Sequence, residues 1–157
     1  MILKGLVEED LVNYKNAAMY LIFPNCDFKC NRECGRAVCQ NKNTINEPNI
    51  EIAVDDISCR YILNNITHAI VCGGLEPFDS WEDLQALIKE MRFYTIDPII
   101  IYSGYTEKEL EDKIEVLKEY ENIIIKFGRY VPDKEPHTDR LLGVKLASPN
   151  QYAKQIS

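Results

Sequence analysis

The chain has 157 residues, enough for one ordinary domain with a sizeable core, and its 46% hydrophobic and 27% charged residues match soluble globular proteins. A net charge of −7 without clustered Lys and Arg excludes a sequence-independent grip on DNA or RNA, which needs basic residues to neutralise phosphates. No apolar run approaches the roughly 20 residues that cross a bilayer. Carboxylates at Glu8, Glu9 and Asp10 stand where a signal peptide would need an apolar core. The expectation is a cytoplasmic chain without a membrane partner, its thiols kept reduced.

The first predicted strand is Ala17 to Phe23, and it runs straight into four cysteines, Cys26, Cys30, Cys34 and Cys39. A polar stretch follows, and Ile50 to Asn64 reads as a helix with apolar Ile52, Val54, Ile57, Tyr61 and Ile62 at helical spacings. Thr67 to Cys72 reads as a short buried strand stopped by Gly73-Gly74. Asp79 or Ser80 caps a helix through Leu84, Leu87, Ile88 and Met91, and Ile99 to Tyr102 is the third strand. Thr106 to Glu109 has the Thr-x-x-Glu form of a capping box, opening a helix with Leu110, Ile114 and Leu117 on its apolar side. Ile123 to Phe127 is the fourth strand, closed by Gly128, and the tail from Leu141 ends in a polar Ser148-Pro-Asn150-Gln151 segment.

Without repeats, low-complexity tracts or linkers, residues 1–157 read as a single domain. Strands alternating with helices predict an α/β fold of parallel strands joined by right-handed crossovers. In such folds reactive groups gather at the carboxyl ends of the strands. Those ends carry the cysteines, then Gly73-Gly74-Leu75-Glu76-Pro77, then Ser103-Gly104-Tyr105, then Gly128-Arg129-Tyr130, so four strand exits point at one pocket.

Four thiols within fourteen residues must pair, bind a metal or hold an iron–sulfur cluster, and a reducing compartment favours ligation. A 4Fe–4S cube has four irons, each needing a ligand beyond its sulfides. Three protein cysteines leave one iron open to a small molecule; four close the cluster, which then only transfers electrons or braces the fold. Cys59 and Cys72 lie in apolar surroundings and read as buried free thiols. His68 reads as a structural histidine, His137 as solvated in a polar loop, and the charged run Glu107 to Glu121 as the outer face of a helix.

These segments resemble the radical S-adenosylmethionine (SAM) superfamily, and most closely the activating proteins of anaerobic ribonucleotide reductase. Cys26-x3-Cys30 is similar to the first two cysteines of the Cys-x3-Cys-x2-Cys signature, and Cys39-Gln40-Asn41 to the third cysteine and the His-Asn that follows it. Gly73-Gly74-Leu75-Glu76-Pro77 resembles the Gly-Gly-Glu-Pro motif that meets the SAM amino group. Tyr102 to Thr106, Gly128-Arg129-Tyr130 and Leu146 to Gln151 resemble the activators' Thr-Gly-Tyr-Thr, Asp-Gly-Arg/Pro-Phe and Gly-Ser-Ser-Asn-Gln segments. Two departures stand out. The gap from Cys30 to Cys39 is long, with Cys34 inside it, and the Gln40-Asn41 that follows favours Cys39 over Cys34 as third ligand. Leu75 separates the glycines from Glu76, and a one-residue bulge would return that carboxylate to the pocket.

The resemblance implies a minimal partial (β/α) barrel of parallel strands, with a 4Fe–4S cluster on Cys26, Cys30 and Cys39 or Cys34 and SAM beside it. It implies cofactor contacts from Phe28, Asn41, Gly73, Gly74, Glu76 and Ser103. Phe28 would shield the cluster or simply plug its loop; Ser103 would line the SAM pocket or serve a tight turn. Arg129 would pair with the SAM carboxylate or with a surface acid, and Asn150 and Gln151 would meet ligand or partner or cap the tail. The implied activity generates a glycyl radical on the large subunit of anaerobic ribonucleotide reductase, with an external one-electron reductant such as flavodoxin. The competing expectations are a radical SAM enzyme acting on another substrate, and a closed four-cysteine iron–sulfur or zinc module.

Overall fold

The computed structural model describes residues 1–157. Its centre is four parallel strands, β3 (Ala18–Phe23), β5 (Ile70–Gly74), β6 (Ile99–Tyr102) and β7 (Ile123–Phe127), side by side in that order. They are near-continuous apolar runs because both faces of the sheet are covered. Side chains alternate between the faces: Leu21, Ile70, Ile101 and Ile125 enter one apolar cluster, and Ala18, Val71, Ile100 and Ile124 the other. The first face is filled by Ile57 of α2 (Val54–Leu63), Leu84 and Leu87 of α3 (Trp81–Met91) and Leu117 of α4 (Glu111–Leu117). The second is covered by Tyr14, which precedes β3, and by Leu142 and Leu146, which follow β7.

The expected alternation of strand and helix therefore forms, but the sheet is open and mixed rather than a wholly parallel partial barrel. β2 (Gly5–Asp10) pairs antiparallel with β3 at one edge, and β10 (Tyr152–Gln155) pairs antiparallel with β7 at the other. Neither was legible as a strand. β2 buries one residue of six and reads Gly-Leu-Val-Glu-Glu-Asp, an edge strand held by backbone pairing with little apolar signature. The remaining strands are short: β1 (Ile2–Leu3) pairs β4 (Ile50–Glu51), and β8 (His137–Thr138) pairs β9 (Lys145–Leu146). No helix is long and apolar enough to cross a membrane.

Several expectations need correction. The helix expected from Ile50 starts only at Val54, because Ile50 and Glu51 pair with Leu3 and Ile2 and the Ile52 carbonyl accepts from the amino terminus at 2.9 Å. Ile62 is on the solvent side, 47% exposed, because the inner face of α2 runs through Ile57, Ser58 and Tyr61. The second parallel strand begins at Ile70 and includes both glycines rather than stopping before them. Cys72 is buried as expected, but Cys59 is exposed on α2, and His68 is exposed rather than structural. His137 is not solvated: it lies in β8, half-buried, its Nδ1 inside without a partner.

Candidate functional site

A cavity of about 310 Å³ opens at the carboxyl ends of the parallel strands. Cys26, Cys30, Cys39 and Asn41 form one side; Gly74, Leu75, Glu76, Ser103, Gly104, Lys126 and Arg129 form the strand-exit side. Cys34, Phe28 and Gly73 do not line it.

The cysteine segment owes its shape to short-range polar contacts. Asp27 accepts from the Lys29 amide at 2.9 Å, and Phe28 takes a left-handed conformation, φ 53°, as the residue before α1 (Lys29–Cys34). Cys30 and Cys34 sit one helical turn apart on α1. Gly35, φ 64°, ends the helix, and the chain doubles back. Asn31 Oδ1 accepts from the amides of Val38 and Cys39 at 2.8 and 3.0 Å, which returns Cys39 to the cavity. The helix thus carries Cys34 away from the cavity while the Asn31 turn brings the more distant Cys39 in. Asn41 then donates from Nδ2 to the Gly74 carbonyl, tying the loop to the exit of β5.

Burial pushes the Cys26 thiol up to about 12, with Glu76 and Asp79 adding to the effect. Cys30 is also pushed up by burial, and the neighbouring Cys39 contributes. Metal binding must therefore release protons from these groups. A tetrahedral ion at about 2.3 Å from each sulfur would hold four thiolates about 3.8 Å apart. The ligating atoms that do lie within 4.8 Å of one another belong to Cys26, Asp27 and Asp79, not to the four cysteines. Asp79 is already engaged, accepting from the Asp27 amide at 2.9 Å and the Tyr105 hydroxyl at 2.7 Å.

The strand-exit side is built differently. β3 and β5 stay in register from Met19–Ile70 to Phe23–Gly74, so no bulge compensates for Leu75. The turn is made by Gly74 at φ 86°, where a Cβ would lie 2.5 Å from Ile22 Cγ2. Leu75 and Glu76 then donate their amides to the carbonyls of Phe23 and Asn25 at 3.2 and 2.7 Å. Glu76, 6% exposed, ends up in the cavity wall despite the extra residue. Its Oε1 accepts from Ser103 Oγ at 2.9 Å and the Phe78 amide at 3.3 Å, and its Oε2 from the Gly104 amide at 2.8 Å. A carboxylate oxygen has two acceptor positions, so Oε2 keeps one. Burial pushes this carboxyl up to about 7 against those three bonds, which favour the charged form.

Opposite in sign is Lys126, a residue the sequence reading passed over. It is 7% exposed on β7, and its Nζ donates to the carbonyls of Ser103 at 3.2 Å and Gly128 at 2.8 Å. An ammonium has three protons, so one remains for a ligand. Burial pulls its pKa down to about 8, while Glu76 favours the charged form. The available signal was a charged residue inside the otherwise apolar run Ile123-Ile124-Ile125-Lys126-Phe127, because an unpaired buried charge is costly.

Other candidates are engaged by contacts within the chain, and Arg129 and Gln151 also line the cavity. Arg129 forms a bidentate pair with Glu109 at 2.9 and 2.8 Å, the surface-acid alternative, and its guanidinium stacks 5.3 Å over the Tyr105 ring. Gln151 caps the tail: Oε1 accepts from the amides of Ala147 and Ser148, and Nε2 donates to the Gly128 carbonyl. Asn150 donates to the Arg129 carbonyl at 2.7 Å.

A family model described as a 4Fe-4S single cluster domain matches residues 16–151. The chain belongs to that family. It is an iron–sulfur protein with a 4Fe–4S cluster as its cofactor, one of the outcomes open to the clustered cysteines and the one the resemblance implies. The match covers the four parallel strands and both sides of the cavity; the edge strands β2 and β10 lie outside it. No curated protein and no solved structure matches the chain. The donor set fits the cluster, since soft thiolates suit iron and three of them share one cavity wall.

Proposed function

We propose that this 4Fe-4S single cluster domain protein is a radical SAM activase that generates a glycyl radical on the large subunit of anaerobic ribonucleotide reductase. Cys26, Cys30 and Cys39 would hold three irons and leave the fourth open, with Cys34 outside the cavity. The observation that carries the reading is the pair of buried, opposite charges facing those thiols, each with hydrogen-bonding capacity to spare. Glu76 keeps one acceptor position for an ammonium, and Lys126 keeps one proton for a carboxylate. Together they suit the zwitterionic amino-acid end of SAM.

When bound and reduced, the cluster would supply one electron for cleavage of a C–S bond of the SAM sulfonium to methionine and a 5′-deoxyadenosyl radical, which would take a hydrogen atom from a glycine α-carbon. The protein's own part is to bind, orient and keep water out. Ser103 Oγ and the Gly104 amide fix the Glu76 carboxylate in one orientation, and Gly74 keeps a side chain out of the turn above it. At about 310 Å³ the cavity lies at the small end of ligand pockets, which run to about 1,000 Å³. SAM would occupy it, so the hydrogen donor must arrive from outside, as a loop of another protein would. An external one-electron donor such as flavodoxin would reduce the cluster.

Anaerobic reconstitution tests this. The reduced cluster should change its electron paramagnetic resonance (EPR) spectrum on SAM addition, release 5′-deoxyadenosine, and produce a glycyl radical signal once the reductase is supplied. A spectrum indifferent to SAM in iron-replete protein would instead indicate a closed, four-cysteine cluster. SAM cleavage without a glycyl radical on the reductase would move the substrate elsewhere.

A further inference from the structure

Glu109 takes five hydrogen bonds where its capping role needs only the Thr106 amide. Its Oε2 accepts from the Thr106 amide and hydroxyl, each at 2.9 Å, and Thr106 Oγ1 accepts from the Glu109 amide at 3.3 Å, completing the capping box. The same carboxylate takes both guanidinium arms of Arg129, at 2.9 and 2.8 Å, and the ammonium of Lys29 at 2.5 Å. Arg129 and Lys29 hold it well below the usual carboxylate range.

The three partners belong to three separate pieces of the cavity. Lys29 precedes Cys30 on α1. Thr106 ends the turn whose Ser103 and Gly104 grip Glu76. Arg129 follows β7, three residues after Lys126, and its side chain is only 11% exposed, with its Nε also 3.7 Å from Glu33 of α1. Isolated surface ion pairs contribute little, but a bidentate, networked and partly covered one holds geometry. We propose, on the reading that SAM occupies the cavity, that Glu109 is a positioning residue: its charge holds the cysteine-bearing helix in register with the strand exits that grip SAM. Reaction geometry of this kind is sensitive to displacements of about 1 Å.

Two substitutions separate the clamp from the cap. Glu109→Gln retains a capping-box acceptor but loses the charge that holds Lys29 and Arg129, and Lys29→Met cuts the direct arm from Glu109 to α1 together with the exposed 3.8 Å pair of Lys29 with Glu33, while the Arg129–Glu109 pair stays. In the full chain, reconstituted anaerobically, both variants should carry wild-type iron and sulfide. Their SAM dissociation constants, read from the EPR titration, should rise about tenfold, the scale of one charged hydrogen bond. Lys29→Arg should restore the wild-type value. In the metal-free chain, hydrogen exchange of the α1 amides should quicken in Glu109→Gln and Lys29→Met and return in Lys29→Arg. Unchanged exchange on α1 in both variants overturns the positioning role, and so does loss of iron, which would make Glu109 a support for the cluster itself. Failure of the SAM reading looks different, since wild-type protein then ignores SAM while the exchange measurement still decides whether Glu109 holds the helix.

Discussion

Glu76 and Lys126 are 6% and 7% exposed and hydrogen-bond within the strand exits, whereas the cysteine-bearing helix α1, facing them, buries none of its six residues. The strand-exit wall is attached to four strands whose apolar side chains fill two clusters, so its geometry is set before any ligand arrives. The cysteine wall is held by side-chain ties at its margins: Asn31 to Val38 and Cys39, Asn41 to Gly74, and Lys29 to Glu109. A wall of that kind gains much of its order from metal, because ligation free energy adds to folding free energy. On the proposed reading, recognition of SAM would be built into the sheet, while cluster binding would complete the loop.

The thiols should show the most severe losses. Cys39→Ala should abolish cluster assembly, measured as iron and sulfide per chain, while Cys34→Ala should leave it intact; the reverse pattern would put the wrong cysteine in the cavity. Next comes Glu76→Gln, which should leave iron content unchanged and weaken SAM by roughly 10- to 100-fold, as removal of a charged hydrogen bond does. An equal loss of iron in Glu76→Gln would show that the two walls are not independent. Gly74→Ala should lower the stability of the metal-free chain by about 1–3 kcal/mol, through its φ of 86° and its collision with Ile22, read by denaturant melting. Asn31→Ala should cost about 1–2 kcal/mol of local order, two lost backbone contacts, and show as faster exchange at the Val38 and Cys39 amides and faster iron loss to a chelator.

The broadest effect is with pH. Burial raises the Glu76 carboxyl from 4.5 to about 7. Between those values the folded chain holds a proton that the unfolded chain has released, so this group's contribution to stability falls as pH rises and levels off above about 7. SAM affinity should move oppositely, strengthening as Glu76 ionises to receive the ammonium. Stability of metal-free wild type and Glu76→Gln compared from pH 4.5 to 8 isolates this contribution; parallel curves would mean that Glu76 titrates normally.

Much of the frame was legible because fully buried parallel strands leave unbroken apolar runs, as in Ile99–Tyr102 and Ile123–Phe127. The Thr106–Glu109 cap was legible too, since it depends on residues three apart. β2 and β10 were not, because edge strands form by pairing with a neighbour distant in sequence and need no apolar pattern. Lys126 was missed because its role depends on carbonyls of Ser103 and Gly128 that turn toward it only in the folded sheet.

The order of amino acids alone determined that four thiols sit at the exit of a buried strand and that a Gly-Gly-x-Glu turn follows the next one. Local spacing and apolar runs suffice for that. Only the tertiary structure decided which thiol stays outside the cavity, that Leu75 leaves Glu76 in place, and that Lys126 faces the same space. Each depends on contacts between segments far apart in the chain: Asn41 with Gly74, Glu76 with Ser103 and Gly104, Lys126 with Ser103. Such contacts exist only once the sheet has brought its strand exits together.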